Sequence, residues 1–154
     1  MSMHMPERAR DAAWAMEQFR ACEFATLSVN QEGAGPYQIP LCVVVSGEVI
    51  YFHTCLAGKA GELLAKDPRA SLSAVTWTER DPEHFTLYFR SAHAEGTVHE
   101  VDDYDEKYEA ILRFGAKYLQ NDRVPCMAER IAGGRARVYR FTPSVMTGKE
   151  HTAP

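Results

Sequence analysis

The sequence predicts a mainly β protein with flanking helices, built as one small antiparallel barrel. Three observations lead there. Apolar runs of strand length recur along the chain, at Phe24, Pro36, Val49, Ala70, Phe85 and Arg135, separated by Gly-, Pro- and Asp-bearing turns. Helical periodicity is confined to an N-terminal segment, a short insertion and one stretch after Asp102. Strands follow one another without alternating helices, which argues against βαβ units and for a barrel.

The first element is a helix over about residues 8–21, with Ala12, Trp14, Ala15, Met16 and Phe19 as an imperfect apolar face that should lie against the sheet. FATLSV and PYQIPLCVVVSG are strands joined by NQEGAG, whose glycines and polar residues suit a hairpin connection. Pro36 and Pro40 place the start of the second strand at an edge or a distortion, since proline donates no ladder hydrogen bond. That either protects an edge or opens backbone to a ligand. Ser46-Gly47-Glu48 turns into the strand VIYFHT, which runs through a glycine-bearing loop into a helix of about two turns between Gly58 and KDPR. ASLSAVTWTE returns as a strand and breaks at Asp81-Pro82. FTLYFRSAHAEGTVHEV is long and strand-like, with Gly96 expected at a bulge or bend. From Asp102 the acidic cap DDYDEK starts a helix carrying Tyr104, Tyr108, Ile111, Leu112 and Leu119. RARVYRFTP closes the sheet, and the tail frays over about residues 148–154.

A chain of 154 residues with 45% apolar composition reads as a single domain, residues 1–154, with one core. Its formal net charge of -4, without single-sign blocks, gives no nucleic-acid footprint. Cys22, Cys42, Cys55 and Cys126 form no CxxC pair, so free thiols in a reducing cytoplasm are expected. The N-terminus lacks a signal-peptide core, and no stretch reaches the roughly 20 apolar residues of a membrane helix. A cytoplasmic protein without a membrane partner is the expectation. His4, His84, His93, His99 and His151 fall in no HExxH or carboxylate cluster, so no metal site is expected.

VIYFHTCLAGKAGELL carries the chemistry most legibly. A strand that ends in polar groups and turns into a helix can offer backbone N–H groups and a cation to an anion. With GPYQIPL, YFRSAHAEGTVHEVDDYDEKYEAILRFGAKYL and VYRFTPSVMTGKEH, in that order, the chain resembles the flavin-binding split-barrel proteins related to pyridoxamine 5'-phosphate oxidase, and within them the nitroimidazole-resistance reductases. The resemblance spans Phe24 to about His151. It implies a six-stranded antiparallel split β-barrel and a homodimer with FMN in clefts between the subunits. It also implies reduction of a small electron-poor organic acceptor, such as a nitroimidazole nitro group.

Carried over residue by residue, the resemblance places the strand-end His, the small residue and the loop cation on His53, Thr54, Gly58 and Lys59. It adds Arg90 and Ser91 to the grip on the FMN phosphate, and puts Pro40 and Leu41 beside the isoalloxazine. It makes His53 the catalytic candidate, a histidine that in the nitroimidazole-resistance proteins can carry a pyruvate adduct. A neutral imidazole beside a flavin can donate a hydrogen bond or exchange a proton. One departure stands out: the usual lysine two residues after the glycine is Ala60 here, and Lys59 is its neighbour, turned about 100° away on a helix. No Rossmann fingerprint is present, so NAD(P)H would dock transiently as electron donor. Tyr37, Trp77, Tyr88 and Tyr139 are candidate walls for a planar substrate, or ordinary core aromatics.

Each residue also has a plain structural reading. Arg90 suits the solvent side of a strand opposite Leu87 and Phe89, Lys59 an exposed helix start, and His53 a core or dimer face. The altered lysine position keeps open a non-enzymatic dimer that binds or sequesters a flavin, haem or other small planar ligand, with His53 and His93 as iron-ligand candidates.

Overall fold

The computed structural model describes residues 5–153, so His4 lies outside it. The N-terminal helix α1 (Ala12–Ala21) begins later than the sequence suggested, because Asp11 caps it by accepting a hydrogen bond from the Trp14 amide at 2.8 Å. The residues before the cap form a two-residue strand, β1 (Ala9–Arg10), that pairs with Lys149 and Gly148. Ala15 and Phe19 of α1 are completely buried, so this helix covers one side of the barrel wall.

The remaining elements are β2 (Ala25–Val29), β3 (Tyr37–Leu41), β4 (Val44–Ser46), β5 (Val49–Thr54), α2 (Lys59–Lys66), β6 (Arg69–Asp81), β7 (Thr86–Glu100), α3 (Tyr104–Phe114), α4 (Val124–Arg130) and β8 (Arg137–His151). All strand pairs are antiparallel, in the order β3-β2-β6-β7-β8-β5-β4, with β1 added to β8. β3 and β4 sit at opposite ends of that order, yet only Cys42 and Val43 separate them in the chain. The sheet therefore has to curl on itself, and it forms a half-barrel with helices at its flanks. The sequence suggested one strand across PYQIPLCVVVSG, and the break makes it two. That break and the short β1 turn the expected six strands into eight among the described residues.

The break is held from outside the sheet. Lys117 donates its ammonium to the carbonyls of Phe19 at 3.3 Å and Val43 at 2.8 Å. The Tyr118 hydroxyl accepts from the Val43 amide at 3.3 Å and lies 2.8 Å from the Glu23 carbonyl oxygen. These polar side chains satisfy backbone groups that lack a ladder partner where the chain changes edges.

Strand β5 shows how the core is divided. Ile50 and Phe52 point into the barrel, where they join Leu27, Val29, Leu72, Val98 and Phe141. The alternate residue Tyr51 points outward to a second cluster under the C-terminal helices, with Ala110, Ile111, Phe114, Ala128, Ile131 and Val138. Each large side chain so buried contributes roughly 1.5–3 kcal/mol of transfer free energy.

Gly96 does mark a bulge: the β7–β8 register shifts between Glu95 and Gly96, and a Cβ there would overlap the Thr142 carbonyl. The helix from the DDYDEK cap starts where expected, with the Asp103 carboxylate accepting from the Glu106 amide at 2.8 Å. It keeps α-geometry only to Phe114 and continues to Leu119 as a wider π-turn. Helix α4 and the π-turn Ile131–Arg135 were not read from the sequence. Strand β8 also corrects the expectation of a tail frayed from about residue 148, since it pairs with β7 as far as His151. Among the described residues no helix is long and apolar enough to cross a membrane.

Candidate functional site

The site grows from the end of β5. By strand alternation His53 follows Tyr51 onto the outward face, and its ring stacks on Phe114 of α3, with centroids 4.8 Å apart and planes 27° from parallel. Burial lowers the pKa of His53 below the ordinary imidazole value, so the ring is neutral at physiological pH. Beside it opens a cleft of about 690 Å³ lined by His53, Thr54, Cys55, Leu56, Met127, Ile131, Arg135 and Ala136. Three of these belong to the helical segment that sequence reasoning missed or to its π-turn. The apolar period was too short to find α4, and Pro125 in its first turn reads as a breaker as readily as a helix start.

Just beyond His53 the chain leaves the sheet. Thr54 donates its hydroxyl to the Cys55 carbonyl at 3.0 Å. Gly58 occupies the N-cap of α2 without a side-chain cap, so the first backbone N–H groups of the helix have no intrahelical acceptor. Lys59 is exposed and lies over the Tyr37 ring at 4.9 Å, whereas Ala60 turns inward and is 5% exposed. The residue types at this turn fit a phosphate: amides at a helix start, a hydroxyl and an exposed ammonium. Pro40 and Leu41 lie in β3 opposite Thr26 and Ala25, on the strand that also carries Tyr37.

Arg90 and Ser91 are not part of this cluster within one chain. They pair with Glu150 and Lys149 near the far end of β8, whereas Thr54 pairs with Arg137 at its beginning. The intervening stretch of β8 is roughly 40 Å of strand at about 3.3 Å per residue. Nor do the two side chains act together. Neighbours on a strand face opposite sides, and Arg90 shares its face with Tyr88, Ala92 and Gly148, the face against which Trp14 of α1 packs. There its Nε donates to Glu150 at 2.8 Å and its guanidinium lies 5.4 Å from the Trp77 ring centroid. Glu150 also accepts from Arg10 at 2.9 Å. Burial raises the pKa of this carboxyl, but the two arginines outweigh it and hold it below the ordinary value. Ser91 lies on the opposite, uncovered face, with Ser73, Val75, His93 and Lys149.

The candidate aromatic walls separate by burial. Tyr139 is 2% exposed and stacks on Phe52 at 5.1 Å inside the barrel, and its hydroxyl lies beside Gly61 and Arg137 without a hydrogen bond among the described residues. Tyr88 is buried and donates to Asp81 at 2.9 Å, and Trp77 lies under Arg90. Tyr37 alone stands beside the α2 turn. His53 is separated from His93, which lies 3.4 Å from Glu95 on the uncovered face. Among the described residues no three His, Cys, Asp or Glu side chains gather as a metal site. All four cysteines are free thiols, with Cys22 alone buried.

A curled antiparallel half-barrel flanked by helices is the architecture of the split-barrel proteins. The comparison with known families agrees: the profile described as pyridoxamine 5'-phosphate oxidase matches residues 11–150, and the chain belongs to that family. Among curated proteins none matches. A solved structure of a candidate 5-nitroimidazole antibiotic resistance protein from Bacteroides thetaiotaomicron is similar with a TM-score of 0.73 at 18% identity, over 97% of this chain and 95% of that one. A flavocytochrome from Azotobacter vinelandii gives 0.78 at 19% identity, over 99% and 73%. A FAD-binding protein from Mesorhizobium loti gives 0.66 at 17% identity, over 94% and 98%. At these identities the likeness speaks to the fold alone.

Proposed function

We propose that the protein is an FMN-dependent oxidoreductase that acts as a homodimer and reduces a small electron-poor organic acceptor, a nitroimidazole-type nitro group among them, with electrons from NAD(P)H. The observation that carries this reading is the adjacency of two features in a member of this family. A cleft walled by a neutral, ring-stacked His53 opens within a few residues of the uncapped start of α2. In this reading Thr54 and Lys59 hold the phosphate, Pro40 and Leu41 lie along the ring, and His53 donates or moves a proton at the substrate. FMN, when bound, supplies the hydride chemistry, and the protein supplies position and exclusion of water.

The uncovered face of β6, β7 and β8 supports the homodimer. Val75 is 61% exposed and Val145 49%, and both share that face with Ser91 by register. A second copy seated there would bring Ser91, and the strand that carries Arg90, to the other subunit's site. Ala60 favours a second reading, in which the same dimer holds a flavin, haem or other small planar ligand without turnover. The flavocytochrome likeness is consistent with both readings.

The test is the absorption spectrum of purified protein with and without FMN, followed by NAD(P)H oxidation in the presence of a nitroimidazole. Bound-flavin bands and acceptor-dependent oxidation are expected. Flavin binding without turnover would shift the conclusion to the second reading, and a protein that leaves FMN unperturbed would refute the flavin reading. The Lys59→Ala variant should bind FMN roughly tenfold more weakly, the loss of about 1.4 kcal/mol.

A further inference from the structure

We propose that the cleft beside His53 selects planar acceptors bearing a carboxylate, and that Arg135 is the residue that sets this preference. The inference rests on the reading of this cleft as the substrate side of the site. Its walls are apolar: Leu56 is 53% and Met127 37% exposed, and the buried Ile131 also lines it. Its polar end is His53, whose ring plane is fixed by the stack on Phe114. Such a slot suits a flat ring, and its volume falls within the roughly 300–1,000 Å³ of small-molecule sites.

Among the described residues that line the cleft, Arg135 carries the single formal charge, and none is a carboxylate. The neighbouring arginines of the same strand region are committed, Arg137 to Glu100 at 3.7 Å and Arg140 to Glu106 at 2.7 Å. Arg135 has no carboxylate partner among the described residues. Gly134 precedes it with φ at 108°, a left-handed conformation that glycine adopts without strain, and this turn carries the arginine from the end of the α4 region to the cleft. A guanidinium presents a planar fork that pairs two donors with the two oxygens of a carboxylate. The apolar walls and the unpaired cation together define a flat organic anion.

The flavin's own phosphate is the other anion that Arg135 could meet, and the experiment separates the two. Flavin-free protein is titrated calorimetrically with 4-nitrobenzoate and with neutral 4-nitrobenzamide, and FMN affinity is measured separately by quenching of flavin fluorescence. Wild-type protein should prefer the carboxylate by about tenfold, equivalent to about 1.4 kcal/mol. Arg135→Gln should abolish that preference while leaving FMN affinity intact. Equal affinity for the two probes, or an unchanged preference in the variant, overturns the proposal. So does a variant that loses FMN affinity but keeps the preference, which would make Arg135 a phosphate ligand. Discrimination between the probes by a protein that does not bind FMN would support the anion slot and refute the flavin reading by itself.

Discussion

Replacing Tyr118 by Phe tests the account of how the half-barrel closes. Val43 is fully buried at the point where the chain passes from β3 to β4, and its amide donates to the Tyr118 hydroxyl at 3.3 Å. The same hydroxyl lies 2.8 Å from the Glu23 carbonyl oxygen and 3.1 Å from that of Val43. Burial raises its pKa well above the ordinary tyrosine range, so it remains a protonated donor. The ring, stacked on Phe114 at 6.2 Å, is kept in the variant, so the change removes only the polar atom. The Val43 carbonyl retains the Lys117 ammonium as donor, but the Val43 amide is left without a partner. An orphaned buried donor costs about 1–3 kcal/mol. For a chain of this length each kcal/mol corresponds to roughly 2–4 °C in Tm. Thermal unfolding followed by circular dichroism should therefore show a fall of several degrees, with secondary structure unchanged before the transition. A Tm within a degree of wild type would refute the assignment of Tyr118 as the clamp of the break.

Two further outcomes follow from the structure. The half-buried His53 resists a proton that the unfolded chain accepts at about pH 6.5, so its contribution to stability is complete above that value and is lost as pH falls through the lower folded pKa. The Tm of wild type should drop between roughly pH 7 and pH 5, and His53→Gln should flatten that portion of the profile; an equally steep variant would remove His53 from the linkage. Gly96→Ala should cost roughly 1–3 kcal/mol in urea unfolding because its methyl meets the Thr142 carbonyl, while Gly35→Ala, which meets open space, should change stability by less than about 0.5 kcal/mol. Indistinguishable midpoints would show that the bulge yields freely.

What the sequence revealed was local. VIYFHT alternates cleanly into two environments, Asp103 and the acidic residues after it announce a helix start, and Gly96 marks the bulge that lets a long strand bend. His53, Thr54, Gly58 and Lys59 are close in sequence, and the structure puts the first two on the wall of the cleft and Lys59 over the Tyr37 ring. The elements set by distant partners were not legible. The β3–β4 break depends on Lys117 and Tyr118, more than 70 residues away. The last third of β8 looks like a tail by composition, but β7 and β1 supply its ladder. The cleft beside His53 needs α4, so Met127, Ile131 and Arg135 could not be assigned to it without the fold. The opposed directions of Arg90 and Ser91 were legible in principle, since Tyr88, Arg90 and Ala92 share one strand parity and Leu87, Phe89 and Ser91 the other.

That separation has a consequence for the proposed dimer. If Thr54 and Lys59 form one half of the phosphate grip and Ser91 the other, a single chain holds both halves but too far apart to use them together. In an isologous dimer each copy would complete the site of its partner. Flavin would then bind the dimer in preference to the monomer, and mass action would couple the two equilibria. Apparent FMN affinity should weaken on dilution below the dimer dissociation constant, and added FMN should shift sedimentation toward the dimer. A site completed within one chain gives an affinity independent of protein concentration. Ser91→Arg separates the cases further, because it places a bulky cation on the uncovered face, away from the β5–α2 turn of its own chain. Loss of both dimer and FMN binding would tie the site to the interface, whereas a monomer that binds FMN as tightly as wild type would confine the cofactor to the turn after β5.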